Sequence, residues 1–474
     1  MSFRDLRGFI DAARQVGELK EFHRAHWDLE IGCLSELMAE RAGPMLLFDE
    51  IPGYPTGFRV LSNFLSTPKR FAMAAGIPLD ATRLEMLQTW KDKLKNLRFI
   101  PPQHSKDGPV VENVLRGDQV NVELFPAPKW HEHDGGRYIG TADMVIVKDP
   151  ESDWVNMGTY RACIQGRDRL SLWMIADRDG RRIASKYWAS GKSCPVAIVL
   201  GLEPGTWLAA PMKLKPGISE YDFAGGIRGE PVEVISGPIT GLPVPAHAEI
   251  VFEGEIPPPE QESVAEGPFG EWPGYYAHQG QEPVMRVEQI MYRNDPILLG
   301  FPPLLPTSMD SGIPTSAARL WEHLENCGIP NIRGVWSHCR YLLAAISISQ
   351  SYPGHSAQTL LAAASIQYGP GMDAYYIVVD EDIDPTDLRQ VLWAMCTRVD
   401  PRTQVQIVTS CTSNLDPRLS PESKSRGDLT MGRMLIDACR PYAWRDRFPR
   451  PNRFGEEIRR QVWEKWSREL SSLV

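Results

Sequence analysis

Between about residues 110 and 300 the chain is cut into short β-type runs by proline and glycine, and this punctuation limits the fold more than any other feature. Runs at 141–147, 196–200, 232–235, 248–252 and 284–292 are rich in Val, Ile and other apolar residues, with Pro/Gly turns between them. Proline lacks the N–H that a strand's ladder needs, so such punctuation marks turns between short strands. Many short strands separated by turns predict a β-barrel or sandwich-like middle domain.

The flanks read differently. Residues 5–16 have helical spacing (Leu6, Phe9, Ile10, Ala13) with Gly17 as the stop, and residues 28–41 repeat the pattern. The run 45–48 reads as a strand ended by Pro52-Gly53. Downstream, Ile313-Pro314-Thr315 opens a helix that runs to Cys327 and stops at Gly328. The remainder alternates: strand 341–348, helix 355–364, strand 375–379, helix 387–397 and strand 405–408, the pattern of an α/β domain. The expected division is therefore an N-terminal domain over 1–312, a connecting helix over 313–327 and a C-terminal α/β domain over 328–474. A final helix, 454–473, carries Ile458, Val462, Trp463 and Trp466 on one side. It packs on the body or on another subunit, and the body is the plainer expectation.

Composition excludes several classes. With 42% hydrophobic and 23% charged residues the chain is globular rather than disordered. Lys plus Arg number 51 against 60 Asp plus Glu, a net charge of -9 with no basic run, which argues against nucleic acid or an anionic membrane as partner. No apolar run reaches the roughly 18 residues of a spanning helix. The opening Met1-Ser2-Phe3-Arg4-Asp5 lacks a signal-peptide plan, so a cytoplasmic protein is expected. The eight cysteines form no C-x-x-C pair and read as reduced thiols, mostly buried.

Common catalytic motifs are missing: there is no G-x-G-x-x-G, no G-x-S-x-G and no H-E-x-x-H. His131-Glu132-His133-Asp134 has the residue types of a metal site, but between Pro126, Pro128 and Gly135-Gly136 it reads first as a polar loop. Glu266-Gly267-Pro268-Phe269-Gly270-Glu271 is more informative. On a helix, carboxylates five apart diverge. On a Gly-Pro loop both can face one pocket, where their pKa values are pushed apart and one can act as an acid at neutral pH. A solvent-facing hairpin with two ordinary acids is the alternative. Asn156-Met157-Gly158-Thr159-Tyr160-Arg161 supplies an arginine able to fork onto a carboxylate. Ser219-Glu220-Tyr221-Asp222 supplies Glu220, an oxygen ligand for a hard divalent ion.

In this order and spacing these segments resemble the UbiD family of prenylated-flavin-dependent decarboxylases, over nearly the whole chain. The resemblance rests on Asp5 with Leu6-Arg7 and Gly17-Glu18-Leu19, on Asn156 with Arg161, on Ser219 to Asp222, and on the Glu266 to Glu271 hexapeptide. Tyr352-Pro353-Gly354-His355 and Thr397-Arg398-Val399-Asp400-Pro401 add to it. It implies an α/β (α+β) chain in which a β-rich split-barrel cofactor domain is joined by a helix to a C-terminal α/β oligomerisation domain. It implies prenylated FMN as cofactor, supplied by a flavin prenyltransferase, and assembly as a homo-oligomer, a dimer or hexamer. Arg161, Glu266 and Glu271 match the catalytic constellation, with Glu271 as proton donor. Asn156, Thr159, Tyr160, Arg161, Arg178, Pro211 and Met212 fall at cofactor-binding positions. Asn156, Asp179 and Glu220 match ligands of a divalent ion, Mn2+ or Mg2+. Main-chain groups of Met157, Ala209 and Met212 match a K+ seat.

The chain departs from the family pattern twice. The family's histidine ligand falls on Asp179, or on Asp177 if the local alignment slips by two. A lysine that many relatives carry before the Tyr-x-Gly motif is replaced within Ser349-Gln350-Ser351. The implied substrate is a small aromatic or heteroaromatic acid, which loses CO2 in a reversible reaction. Trp272 and Leu304, the latter in the apolar loop 301–306, would line the pocket, with Thr307, Ser308 and Ser311 as polar contacts. Alternatives are a flavin-free scaffold or assembly subunit, and a metal-assisted hydrolase.

Overall fold

The structure, a computed structural model, describes residues 3–175, 178–277, 279–305, 313–366 and 372–471. It opens with α1 (Leu6–Gln15), whose Asp5 side chain caps Gly8 N–H. Then follow β1 (Leu19–His23), α2 (Glu30–Ala39), β2 (Met45–Asp49), β3 (Arg59–Ser62), α3 (Pro68–Ala75) and α4 (Arg83–Lys95). The middle contains β4 (Tyr138–Gly140), β5 (Met144–Lys148), β6 (Val155–Gly158), β7 (Ala162–Gly166) and β8 (Arg169–Leu172). It continues with α5 (Asp179–Ala189), β9 (Cys194–Leu200), α6 (Pro204–Ala209), α7 (Glu220–Arg228), β10 (Ile250–Ile256), β11 (Gly280–Tyr292) and β12 (Ile297–Leu299).

The middle strands form one antiparallel sheet in the order β4-β7-β8-β11-β10-β9-β5-β6, and Asn113–Arg116 and Ser263–Glu266 pair alongside β11. It curls without closing, a split barrel, between the barrel and the sandwich that the turn pattern predicts. Both faces are covered, which explains the uninterrupted apolar runs. On β5, Met144 and Ile146 enter one core while Val145 and Val147 enter the other. On β9, Ala197 and Val199 share the first core, and Val196, Ile198 and Leu200 the second. β12 leaves this sheet and pairs in parallel with β3, so the chain returns to its first hundred residues.

The C-terminal part begins with α8 (Thr315–Asn326) and continues through β13 (Ile332–His338), β14 (Leu343–Ile348), α9 (His355–Ala364), β15 (Tyr375–Asp380), α10 (Leu388–Arg398), β16 (Val405–Cys411) and β17 (Thr430–Ala438) to α11 (Glu456–Ser471). Its sheet order is β13-β14-β15-β17-β16, parallel across β14-β15-β17 and antiparallel at both edges. α8 packs on α4 and on β13. One apolar core runs from Leu6 and Phe9 through Leu87 and Trp90 to Leu320, Leu324, Val335 and Ile346. The connecting helix is therefore a packed element of both parts.

Two expectations need correction. Ile458, Val462, Trp463 and Trp466 are about half exposed (51%, 49%, 53% and 47%), so α11 does not bury its apolar side on its own chain. The cysteines are all free, but only Cys163, Cys194 and Cys439 are buried, while Cys33, Cys327, Cys396 and Cys411 are exposed. No helix among the described residues is long and apolar enough to cross a membrane.

Leu324 is fully buried at the junction. Leu324→Ala is expected to lower the unfolding free energy by about 2–5 kcal/mol, read from denaturant titration, because the cavity opens where helix and both flanking parts meet.

Candidate active site

The hexapeptide 266–271 is held by local pairing at each end. Strand Ser263–Glu266 pairs with β11 and delivers Glu266. Gly267 takes a left-handed φ of 89°, the Gly267–Pro268 bond is cis, and Phe269–Gly270 pairs with Tyr276–Ala277. Glu271 N–H donates to Tyr275 O at 2.9 Å and Gly274 N–H returns to Glu271 O at 2.8 Å, closing a tight turn.

The two carboxylates meet on one guanidinium. Arg161, between β6 and β7, donates to Glu266 from Nε at 2.9 Å and from Nη2 at 2.7 Å. Its Nη1 donates to Glu271 Oε1 at 2.6 Å. The Arg161 and Glu266 side chains are 6% and 1% exposed and that of Glu271 is 13%, so the trio is shielded from water. Trp173 and Phe269 present their rings to the guanidinium at 4.3 and 5.6 Å. Tyr138 OH donates to Glu266 Oε1 at 2.7 Å. Thus Glu266 is gripped by three donors and Glu271 by one of the same clamp.

Burial pushes the Glu271 carboxyl up to about 7, the Arg161 charge pulls it down, and the Glu266 charge pushes it up again. A carboxyl poised there exchanges a proton at neutral pH. Arg161 lies above its ordinary value: burial lowers it, and the Glu266 and Glu271 pairings outweigh that.

Five residues before Arg161, the same turn lines a second region. A cavity of about 180 Å³ is bounded by Asn156, Met157, Gly158, Thr159, Tyr160, Arg178, Asp179, Met212 and Glu220, with Arg182 and Lys213 also on its wall. Tyr160 sets its shape. Its OH accepts Gly180 N–H at 3.0 Å, docking the start of α5 on the β6–β7 turn. A Cβ at Gly158 or at Gly180 would lie 2.5 or 2.7 Å from atoms of Tyr160, so glycine is required at both. Glu220, at the start of α7, accepts the Met157 N–H at 2.8 Å and the Asn156 amide at 3.1 Å. Burial pushes its carboxyl up to about 7, with the Asp179 charge adding to the rise. Asn156 Oδ1 is buried and without a hydrogen-bond partner among the described residues. Among the described residues no group of three or more His, Cys, Asp or Glu comes together as a metal cluster, so any ion here would rest on two carboxylates and an amide.

The remaining expected residues fall as follows. Pro211 is exposed and is not among the cavity-lining residues. Ala209 O already accepts Met212 N–H at 3.0 Å. Trp272 meets the ring of Tyr341, which precedes β14, edge to face at 5.6 Å. Leu304 is buried with Ala39, and Phe301 packs beside them. Its neighbour Pro303 lies 3.4 Å from where a Gly270 Cβ would stand, so this loop adjoins the acid turn. Gln350, near the position of the missing lysine, donates instead to Asp380 Oδ1 at 2.7 Å and Arg440 O at 2.9 Å. Asp177, Pro306, Thr307, Ser308 and Ser311 lie outside the described residues. Sequence reasoning missed Tyr138, Trp173, Arg182, Lys213 and Tyr341. Only Arg182, one helical turn after Asp179 and paired with it at 3.1 Å, left a signal in spacing.

Comparison with known proteins fits this geometry. Sequence profiles of the 3-octaprenyl-4-hydroxybenzoate carboxy-lyase family match residues 10–90 (N-terminal domain), 102–305 (Rift-related domain) and 312–438 (C-terminal domain). A pyrrole-2-carboxylic acid decarboxylase of Pseudomonas aeruginosa is 31% identical over 98% of this chain and 97% of its own. Vanillic acid decarboxylase of Sedimentibacter hydroxybenzoicus in its open form superposes with a TM-score of 0.85 at 26% identity over 100% of both chains. The UbiD-class enzyme HmfF of Pelotomaculum thermopropionicum in complex with FMN does so with a TM-score of 0.83 at 25% identity over 96% of this chain and 98% of that one. A mixed α/β architecture shared end to end and three consecutive family domains make the conclusion plain: this chain belongs to the UbiD family of carboxy-lyases.

Proposed function

We propose that this chain decarboxylates a small aromatic or heteroaromatic carboxylic acid reversibly and without net oxidation, using prenylated FMN, with Glu271 as the proton donor. The observation that carries the reading is the sharing of one buried guanidinium by Glu266 and Glu271. Loss of CO2 from an sp2 carbon leaves an electron pair that no side chain can accept, and the modified flavin supplies that electron sink when bound. The new C–H bond then needs a proton, and a carboxyl held near neutrality in a dry site delivers it. In this reading Arg161 fixes the direction of the Glu271 carboxyl, Glu266 and Tyr138 fix Arg161, and Phe269 and Trp173 keep water from the clamp. The pyrrole and vanillic acid decarboxylases among the relatives favour a compact ring, and the Trp272–Tyr341 pair suits a narrow pocket.

The second cavity suits the phosphate end of a flavin. Arg178, Arg182 and Lys213 place three cations on its wall, and the first N–H groups of α5 add to the positive field there. These cations take over the charge of the absent lysine. Asn156 Oδ1, Glu220 and Asp179 would hold Mn2+ or Mg2+, and all-oxygen donors favour those hard ions over zinc. A divalent charge also answers the orphaned amide oxygen and the elevated Glu220 carboxyl. Main-chain groups of Met157 and Met212, with Ala209, would seat K+. The prenylated cofactor comes from a flavin prenyltransferase, and the half-exposed apolar side of α11 suits assembly with further copies of the chain.

Two outcomes test this reading. A screen of pyrrole-2-carboxylate, vanillate and related ring acids is expected to find turnover that Glu271→Gln lowers by about 100-fold or more without releasing flavin. Since the protonated carboxyl is the active form, wild-type decarboxylation falls as pH rises through about 7, and the Gln variant lacks that limb. Turnover only on long prenylated benzoates, or full activity in the variant, would remove the substrate class or the proton donor respectively. For the metal, Asp179→Ala is expected to lower manganese retained after dialysis by about tenfold or more, measured by elemental analysis.

A further inference from the structure

The stretch His131-Glu132-His133-Asp134 has no task in the site as described, yet it lies against the loop that carries Glu271. Asp134 is 5% exposed. Its Oδ2 accepts His131 N–H at 2.8 Å and its own N–H donates to His131 O at 3.2 Å, so side chain and main chain together lock a four-residue turn. That turn aims the next N–H, of Gly135, at Pro268 O, 2.8 Å away. The approach is so close that a Cβ at residue 135 would stand 2.2 Å from Gly267 O. The other Asp134 oxygen, Oδ1, is buried and without a hydrogen-bond partner among the described residues. His133 N–H reaches Tyr276 OH at 3.3 Å, on the strand that pairs with Gly270. Tyr138, at the end of the same segment, packs its tilted ring on Phe269 with ring centres 3.8 Å apart and donates to Glu266. Every second or third residue of 133–138 thus touches the acid loop.

We propose that Asp134 is a positioning residue for the proton transfer: it locks the 131–135 turn under the acid loop and, through the Gly135 N–H bond to Pro268 O, sets where the Glu271 carboxyl stands relative to Arg161. This rests on the reading of Glu271 as proton donor. The turn needs an acceptor at 134: Oδ2 takes the His131 N–H, an acceptor that alanine lacks and that an amide keeps only through its single oxygen. Lys129 and the His131 imidazole stand near the carboxylate, with Nδ1 of the latter 3.9 Å from Oδ2 and Tyr276 and Cys163 as the other titratable neighbours. The groups that bear on Glu271 itself are Arg161, Glu266 and the Trp272 N–H. A loop displaced by about 1 Å loses rate on the order of 100-fold.

The test is infrared difference titration of the protonated carboxyl in the flavin-loaded enzyme, with kcat and KM on the ring acid found in the screen. Wild type, Glu271→Gln, Asp134→Ala and Asp134→Asn are compared. The expected wild-type band disappears in Glu271→Gln and titrates near pH 7. In Asp134→Ala the loop loosens and water enters, so the midpoint falls by about one pH unit or more and kcat by about tenfold or more, with KM little changed. Asp134→Asn keeps one acceptor and falls between the two. An unchanged midpoint and kcat in flavin-loaded Asp134→Ala would overturn the proposal. So would a loss that follows only the fall in Tm, with Asn as damaging as Ala. If the alanine variant does not fold, Asp134→Asn decides alone: a lowered midpoint supports the role and an unchanged one ends it. A wild-type spectrum without a Glu271 band would instead remove the proton-donor reading itself, and this proposal with it.

Discussion

Everything in the site depends on one guanidinium held between two carboxylates away from water. Arg161 is bound bidentately by Glu266 and singly by Glu271, with aromatic rings over its faces. Such an arrangement is costly to bury, because each charge loses its hydration, and it persists only where geometry and hydrogen bonds are complete. Here they are unequal. Glu266 takes two Arg161 donors and the Tyr138 hydroxyl, whereas Glu271 takes one. The inequality separates the roles: one carboxylate anchors the arginine, and the other is left with a carboxyl near neutrality. In the proposed reading, two acids of the same type thereby become a brace and a proton carrier through environment alone.

The fold supplies the stiffness that this separation needs. The split-barrel sheet is buried on both faces, and its turns bring 156–161, 220 and 266–271 within reach of one another. β6 and the turn after it serve both regions, with Asn156 on the wall of the second cavity and Arg161 in the acid clamp. The turn's placement is fixed by Tyr160 lodged between two glycines. The core that continues through α4 and α8 into the C-terminal sheet brings Tyr341 against Trp272, so the wall beside the acid is contributed by both parts of the chain.

Much of this was legible in the sequence. The Pro/Gly punctuation between 110 and 300 pointed to a β-rich middle, and the pairing of Glu266 with Glu271 could be anticipated because a Gly-Pro turn brings together side chains that a helix would separate. Helix α9 and strand β15 followed from periodicity almost to the residue. β13 escaped notice because Gly334, Ser337 and His338 interrupt its apolar pattern, and its place is fixed by pairing with β14 rather than by its own propensity. Tyr138, Trp173 and Tyr341 were invisible for a related reason: each acts across the tertiary structure, on a partner from about a dozen to more than a hundred residues away, and no local pattern marks it. The exposed side of α11 shows the limit of the opposite kind, since amphipathic spacing reveals that an apolar face exists but not which surface covers it.

The most direct test of the account is the intact mass and the ultraviolet–visible spectrum of the cofactor that the protein carries after co-production with a flavin prenyltransferase. The account predicts prenylated FMN bound at about one per chain, retained with a divalent ion, because the cations of α5 and Lys213 replace the missing lysine. A protein that stays free of flavin under conditions that load a related decarboxylase would contradict it. Asp179 and Gln350 would then mark a pocket that no longer holds the cofactor, and the Arg161 clamp would need another purpose.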